Sequence, residues 1–215
     1  LAPVNTSREV QQIMLLAVPI IFLILILTTD SWFEPVLFMI TIGVAILLNR
    51  GTNLMFGTIS FVTNAAGSVL QLAVSMDYSI FLLHRFAENR SGGLPVEKAM
   101  TEAVQQSVGS ILSSGLTTVT GFLALVLMRF KIGPDMGWVM SKAIGFSLLS
   151  VLCFLPALAI ATYRLIDRTQ HRSFVPKFDK FAAVVMKIRF PVLALIVLLL
   201  PASFLGQQNN DFFYG

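Results

Sequence analysis

Charge is what this sequence has least of. Asp, Glu, Lys and Arg make up only 12% of its 215 residues, against 56% hydrophobic, and the mean hydropathy is +0.82. A water-soluble domain carries roughly 25% charged residues, so the chain has about half of what a water-facing surface needs. Cysteine is nearly absent. Cys153 stands alone in an apolar run, which excludes a disulfide framework and argues against a reactive thiol. The two histidines, His84 and His171, lie far apart and make no metal site. Walker-type phosphate loops, Gly-rich dinucleotide turns and Cys/His ligand spacings are missing too. No enzymatic constellation and no cofactor are therefore expected. The net charge of +4 is modest, and the bases flank hydrophobic runs, which suits membrane orientation rather than nucleic acid.

What is present is a series of long apolar runs. Measured against the ~20 residues that cross a bilayer as a helix, they predict spans at about 13–28, 35–48, 62–83, 108–128, 136–163 and 190–205. None alternates with period two, and in hydrocarbon the backbone must pair within its own helix. The expected fold is an all-α integral membrane protein, a six-transmembrane-helix bundle occupying residues 13–205 as one domain. Pro19, Pro156, Pro191 and Pro201 are compatible with it, because membrane helices tolerate proline. Residue 1 is Leu, and the chain closes on a polar stretch after Leu205. Residues 1–12 and 206–215 accordingly read as the end and the start of outward-facing segments of a longer polypeptide.

Six crossings put both termini on one side. Alternating the connections gives ten basic residues to one face, among them Arg85, Arg90, Lys98, Arg164 and Arg168, and four, Arg8, Arg50, Arg129 and Lys131, to the other. The positive-inside rule turns the first face to the cytoplasm and both termini outward. Phe178, Phe181, Val185 and Ile188 recur at three- and four-residue spacing among Lys180, Lys187 and Arg189. That pattern predicts an amphipathic helix over about 176–188, lying on the cytoplasmic leaflet or packed on protein. Residues 52–61 form a second candidate surface segment, on the outer side.

Chemistry inside the membrane has few carriers. Asp77, in Ser75-Met76-Asp77-Tyr78-Ser79, is expected to be buried within the third span. An Asp at mid-membrane costs roughly 2.5–3.5 kcal/mol, tolerated where the group is paired and structural or where its protonation state is used. Gln71, Ser75 and Tyr78 share a stripe that gives this helix a polar edge. The fourth span is rich in hydroxyls, and Gly109, Ser113, Thr117 and Gly121 recur every four residues. The stripe serves close helix packing, or it contributes hydroxyls to a relay with Asp77. Lys142 lies inside the fifth span, where it snorkels to the outer headgroups or reaches Asp77 through water. His84 and Arg85 close the third span as interfacial anchors.

The run Leu72-Ala73-Val74-Ser75-Met76-Asp77-Tyr78-Ser79-Ile80-Phe81-Leu82-Leu83-His84-Arg85-Phe86 resembles the MMPL family of the RND superfamily, with its Asp-Tyr pair and following basic residue. Ser113-Ser114-Gly115-Leu116-Thr117-Thr118, Gly133-Pro134-Asp135-Met136-Gly137-Trp138 continuing to Lys142, and Leu155-Pro156-Ala157-Leu158 follow in the family's order. The resemblance implies that the spans are helices two to seven of the family's repeat, one transmembrane half of a bacterial exporter driven by protons. The implied substrates are lipids, drugs or other amphiphiles. Asp77 and Tyr78 would form half of a proton relay, with Ser113, Ser114 and Thr117 as hydroxyl partners and Lys142 in a less defined role. The implied partners are protons, membrane lipids, an amphiphilic substrate, and a second transmembrane half or second copy of the chain. A lipid- or sterol-sensing bundle without transport is the alternative, and a protein-translocation motor of the same superfamily a weaker one.

Overall fold

The computed structural model describes residues 19–54, 59–130, 132–171 and 184–208. Its regular structure is helical, and no strand occurs among the described residues. Two compact units are distinguished, Leu1–Phe174 and Val175–Gly215. The first contains α1 (Pro19–Thr28), α2 (Glu34–Asn53), α3 (Phe61–Ser91), α4 (Val96–Leu125), α5 (Ile132–Leu149) and α6 (Leu155–Arg168). The second contains α7 (Arg189–Gln208).

Among the described residues, four helices are long and apolar enough to cross a membrane: α2, α3 from Val62, α4, and the continuous Ile132–Arg168. Pro19–Thr28 and Arg189–Pro201 are apolar but shorter. The described residues are thus all-helical, and the chain is a multi-pass membrane protein. The expected 13–28 span lies partly outside the described residues, as does most of the amphipathic helix expected over 176–188.

Helix ends follow local chemistry rather than hydropathy. Pro35 opens α2 beside Glu34 in the first turn, and Arg50 lies in its last turn; both charges suit the helix dipole. The 31 residues of α3 extend about 46 Å, well beyond a hydrocarbon core of about 30 Å. The helix therefore continues past the expected limit at residue 83. It stops where Gly93 takes φ +89°, a conformation open to glycine, and Pro95 then precedes the first turn of α4.

Between α5 and α6 the helix widens into a π-turn at Ser150–Phe154, with the Leu155 N–H donating to the Ser150 carbonyl. Pro156 follows directly. It has no N–H for the Leu152 carbonyl and its ring would crowd that group, so a wider turn keeps the helix continuous.

In the first unit α5 packs against α2, α3 and α4. The core holds Leu37, Phe38, Ile42, Leu82, Met100, Ile111 and Ile144. At the α4–α5 crossing Gly115 faces Leu148, where a Cβ would come within 2.5 Å of its methyl carbon. Gly137 lies against Val126 and the Phe122 carbonyl, at 2.7 and 2.8 Å for the same added atom. These glycines, and not the expected Gly109/Ser113/Thr117/Gly121 stripe, allow the close approach. That stripe is exposed, and a Cβ on Gly109 or Gly121 would meet nothing within 4 Å.

Candidate functional site

The site is best read from α3, whose polar residues divide between three directions. One direction is a seam with α5. The Thr63 hydroxyl donates to Asp135 Oδ2 at 2.7 Å, the Gln71 Nε2 to the Ala143 carbonyl at 3.0 Å, and the Ser75 hydroxyl to Ser147 Oγ at 2.7 Å. A Cβ on Gly67 would touch Val139 at 3.8 Å. Each pair is separated by 72 residues, so α3 and α5 run parallel in one register and meet every four residues. The Ser60 N–H also donates to Asp135 Oδ2, at 2.9 Å. A carboxylate from α5 thus caps the start of α3, in the manner of an N-cap.

The second direction is towards α4. Tyr78 is 8% exposed, and its hydroxyl donates to Ser114 Oγ over a long 3.4 Å. The Thr117 and Thr118 hydroxyls donate to the carbonyls of Ser113 and Ser114 at 2.8 and 2.9 Å, the back-bonding common to hydroxyls in helices.

The third direction is outward. Ala73, Asp77, Phe81, His84 and Glu88 form an exposed stripe of α3. The expectation of a buried Asp77 is corrected accordingly. Its depth along the helix is mid-span, but its azimuth is a face that no described helix of this unit covers. The polar edge expected beside the acid is likewise redistributed, with Gln71 and Ser75 turned to α5 and Tyr78 to α4. Ser113, Ser114 and Thr117 are exposed on α4 and Asp77 on α3, so the Tyr78–Ser114 contact joins two helices whose neighbouring faces are open.

Lys142 stands apart from this group. Its ammonium donates to the Asn49 carbonyl at 3.1 Å and to Asn53 Oδ1 at 2.5 Å. A cation is there matched to the carbonyl end of α2. Because Ala143 pairs with Gln71, Lys142 is level with residue 70 and lies about 10 Å along the bundle from the level of Asp77. Asp135 and Ser147, which anchor the seam, were not among the expected site residues; Asp135 stood only as part of the Gly133–Trp138 segment of the resemblance, and Ser147 has no signal beyond the 72-residue offset it shares with Ser75.

A model of the MMPL family matches residues 3–178. The chain belongs to the MMPL family. Its relatives include a membrane protein of Methanocaldococcus jannaschii, 32% identical over 145 residues, which are 67% of this chain and 37% of that one. The mycolic acid-containing lipids exporter MmpL11 of Mycolicibacterium smegmatis is 28% identical over 124 residues, 58% of this chain and 12% of the exporter. The transport protein MmpL12 of Mycobacterium tuberculosis is 27% identical over 149 residues, 67% of this chain and 13% of that protein. The MMPL chain described here thus spans little more than a third of the first of these relatives and far less of the other two. No solved structure matches it.

Proposed function

We propose that this MMPL chain is a transmembrane half of an exporter of lipids, drugs or other amphiphiles, driven by the proton-motive force and not by catalysis of a chemical reaction. Asp77 and Tyr78 carry the proton, with Ser113, Ser114 and Thr117 as hydroxyl neighbours. The observation that supports this best is Asp77 itself, a carboxyl at mid-span on an open helix face beside the Tyr78–Ser114 contact. Facing lipid it would cost roughly 2.5–3.5 kcal/mol. A second transmembrane half, or a second copy of the chain, covering α3 and α4 would remove that cost and supply the facing half of the relay. Membrane lipids surround the remaining faces.

In this reading the chain crosses the membrane six times, with α1 and α7 as the first and last crossings in sequence. The end bearing Arg85, Arg90, Lys98, Arg164 and Arg168 is cytoplasmic by the positive-inside rule, and both termini face outward. The bacterial setting implied by the resemblance belongs to the same proposal; the relatives above include an archaeal protein beside mycobacterial ones. Each proton entering down 100 mV releases roughly 2.3 kcal/mol, enough for about a fiftyfold substrate gradient.

The test is Asp77→Asn in the intact protein, reconstituted in vesicles under an imposed proton gradient. The variant is expected to insert and fold yet lose proton-driven lipid movement, and full activity would reject the relay. Lipid binding by the unmodified protein with no movement at all would favour the sensing or scaffold bundle instead.

A further inference from the structure

The exposed stripe of α3 continues beyond Asp77. His84 follows seven residues on, turned by about 20° and displaced by about 10 Å towards the basic end. Beside it is a cavity of about 20 Å³, lined by Ile80, His84 and Ala87 on the α3 side and by Asp30 and Glu34 on the other. That volume is room for a single water, which needs about 10–15 Å³ on the same measure. A second cavity of about 430 Å³ shares Asp30, Glu34 and Ala87 with the first, and it reaches Arg90 and Asp167. These two residues are ion-paired at 2.6 Å. Glu34 is the charged side chain common to both cavities that is almost buried, at 9% exposure. An acid in the first turn of α2 complements the helix dipole, which accounts for its position along the helix but not for its place between a single-water space and a wider cavity.

We propose that Glu34, with His84, forms a proton-release port connecting the Asp77 stripe to the basic end of the bundle. This rests on the reading of Asp77 as a proton carrier. A proton leaving Asp77 passes through water to the His84 imidazole and then to the Glu34 carboxylate across the single-water space. It leaves from there into the wider cavity. At each step one O–H or N–H bond breaks as the next forms, so no other reactant is needed. The charged groups around Glu34 are Asp30 from the α1–α2 connection, His84 and Arg90 from α3 and Asp167 from α6.

The experiment uses the intact protein in phosphatidylethanolamine/phosphatidylglycerol vesicles under a potassium diffusion potential. Pyranine in the lumen reads proton arrival in H2O and in D2O. Glu34→Gln is expected to slow proton arrival by about tenfold or more and to raise the solvent isotope effect above about two, while Glu34→Asp stays near the unmodified rate. An unmodified rate in Glu34→Gln overturns the port, and so does a slower rate with an unchanged isotope effect, which marks a purely structural role. If Glu34→Gln does not fold, His84→Gln carries the test, and an unchanged isotope effect there overturns the port as well. Asp77→Asn run alongside separates the two readings. Undiminished proton arrival in that variant rejects Asp77 as carrier, whereas its loss beside a normal Glu34→Gln rejects the port alone.

Discussion

Gly137→Ala tests the packing on which the site depends. In the middle of a helix this change gains about 1 kcal/mol of helix propensity. Here the added carbon would stand 2.7 Å from Val126 Cγ2, 2.8 Å from the Phe122 carbonyl oxygen and 3.0 Å from the Val126 nitrogen. Two of these three atoms are backbone and cannot swing aside, so α4 itself must retreat from α5. Overpacking of this kind costs about 1–3 kcal/mol. Gly145, two turns further along α5, is the control, since a Cβ there meets nothing within 4 Å and the same propensity gain is unopposed. The two variants should therefore differ by about 1–3 kcal/mol, or about 2–12 °C in melting temperature. Thermal unfolding of the purified chain in detergent measures this. If Gly137→Ala melted at or above Gly145→Ala, the close α4–α5 crossing would be refuted. The displaced α4 would also carry Ser114 away from Tyr78, so the same variant is expected to lower proton-driven transport in the intact protein.

Asp135→Ala removes the acceptor for the Ser60 N–H and the Thr63 hydroxyl, and should cost about 1–2 kcal/mol, as lost N-caps do; Asp135→Asn, which keeps an oxygen, should cost less in the same detergent melts. Lys142→Met leaves the Asn49 carbonyl and Asn53 without their cation and should lower stability by up to about 2 kcal/mol. Loss of proton flux in that variant at unchanged stability would give Lys142 a part in the proposed relay. Ser75→Ala should cost about 0.6 kcal/mol and no more than about 1.7, the average and maximum for hydrogen bonds between membrane helices. Adding Ser147→Ala should cost little more, and a fully additive double variant would show that the two hydroxyls do not act as a pair.

Hydropathy made the helices legible because crossing a bilayer demands a run of apolar residues whatever their order. It left the ends misplaced. The expected limit at residue 83 marks where lipid-compatible residues thin out, whereas α3 runs on to Ser91 until Gly93 allows the chain to turn. Likewise α4 begins at Val96, twelve residues ahead of the expected start at 108. Depth was legible only roughly, since residue 77 is towards the cytoplasmic end of the expected 62–83 span but near the middle of the 31-residue α3. Azimuth was not, because which side of a helix is covered depends on neighbours that one sequence does not identify. The stripe of Gly109, Ser113, Thr117 and Gly121 has the spacing of a packing face and yet lies open, while Gly115 and Gly137 make the contact.

The division of polar groups around α3 has a mechanical consequence. Thr63, Gln71 and Ser75 direct hydrogen bonds into the seam with α5, and Thr63, Gln71, Ser75 and Ser79 are each 0% exposed. Breaking such a bond strands a buried donor or acceptor, at about 1–3 kcal/mol each, so the seam resists rearrangement and holds α3 and α5 as one body. Asp77 is displaced from that seam by half a turn. Its carboxyl can exchange partners without disturbing a single seam bond, and Tyr78, between the two faces, meets α4 through a contact stretched to 3.4 Å. The proposed proton carrier needs such freedom, and in that reading a rigid seam behind it would convert a change of partner at Asp77 into movement of α3 and α5 together. Pinning the open face should then separate the two: a covering partner cross-linked to α3 near Ala73 would leave the seam intact and the fold stable, yet stop proton-driven movement. Continued transport with that cross-link in place would mean that the open face does not move during turnover.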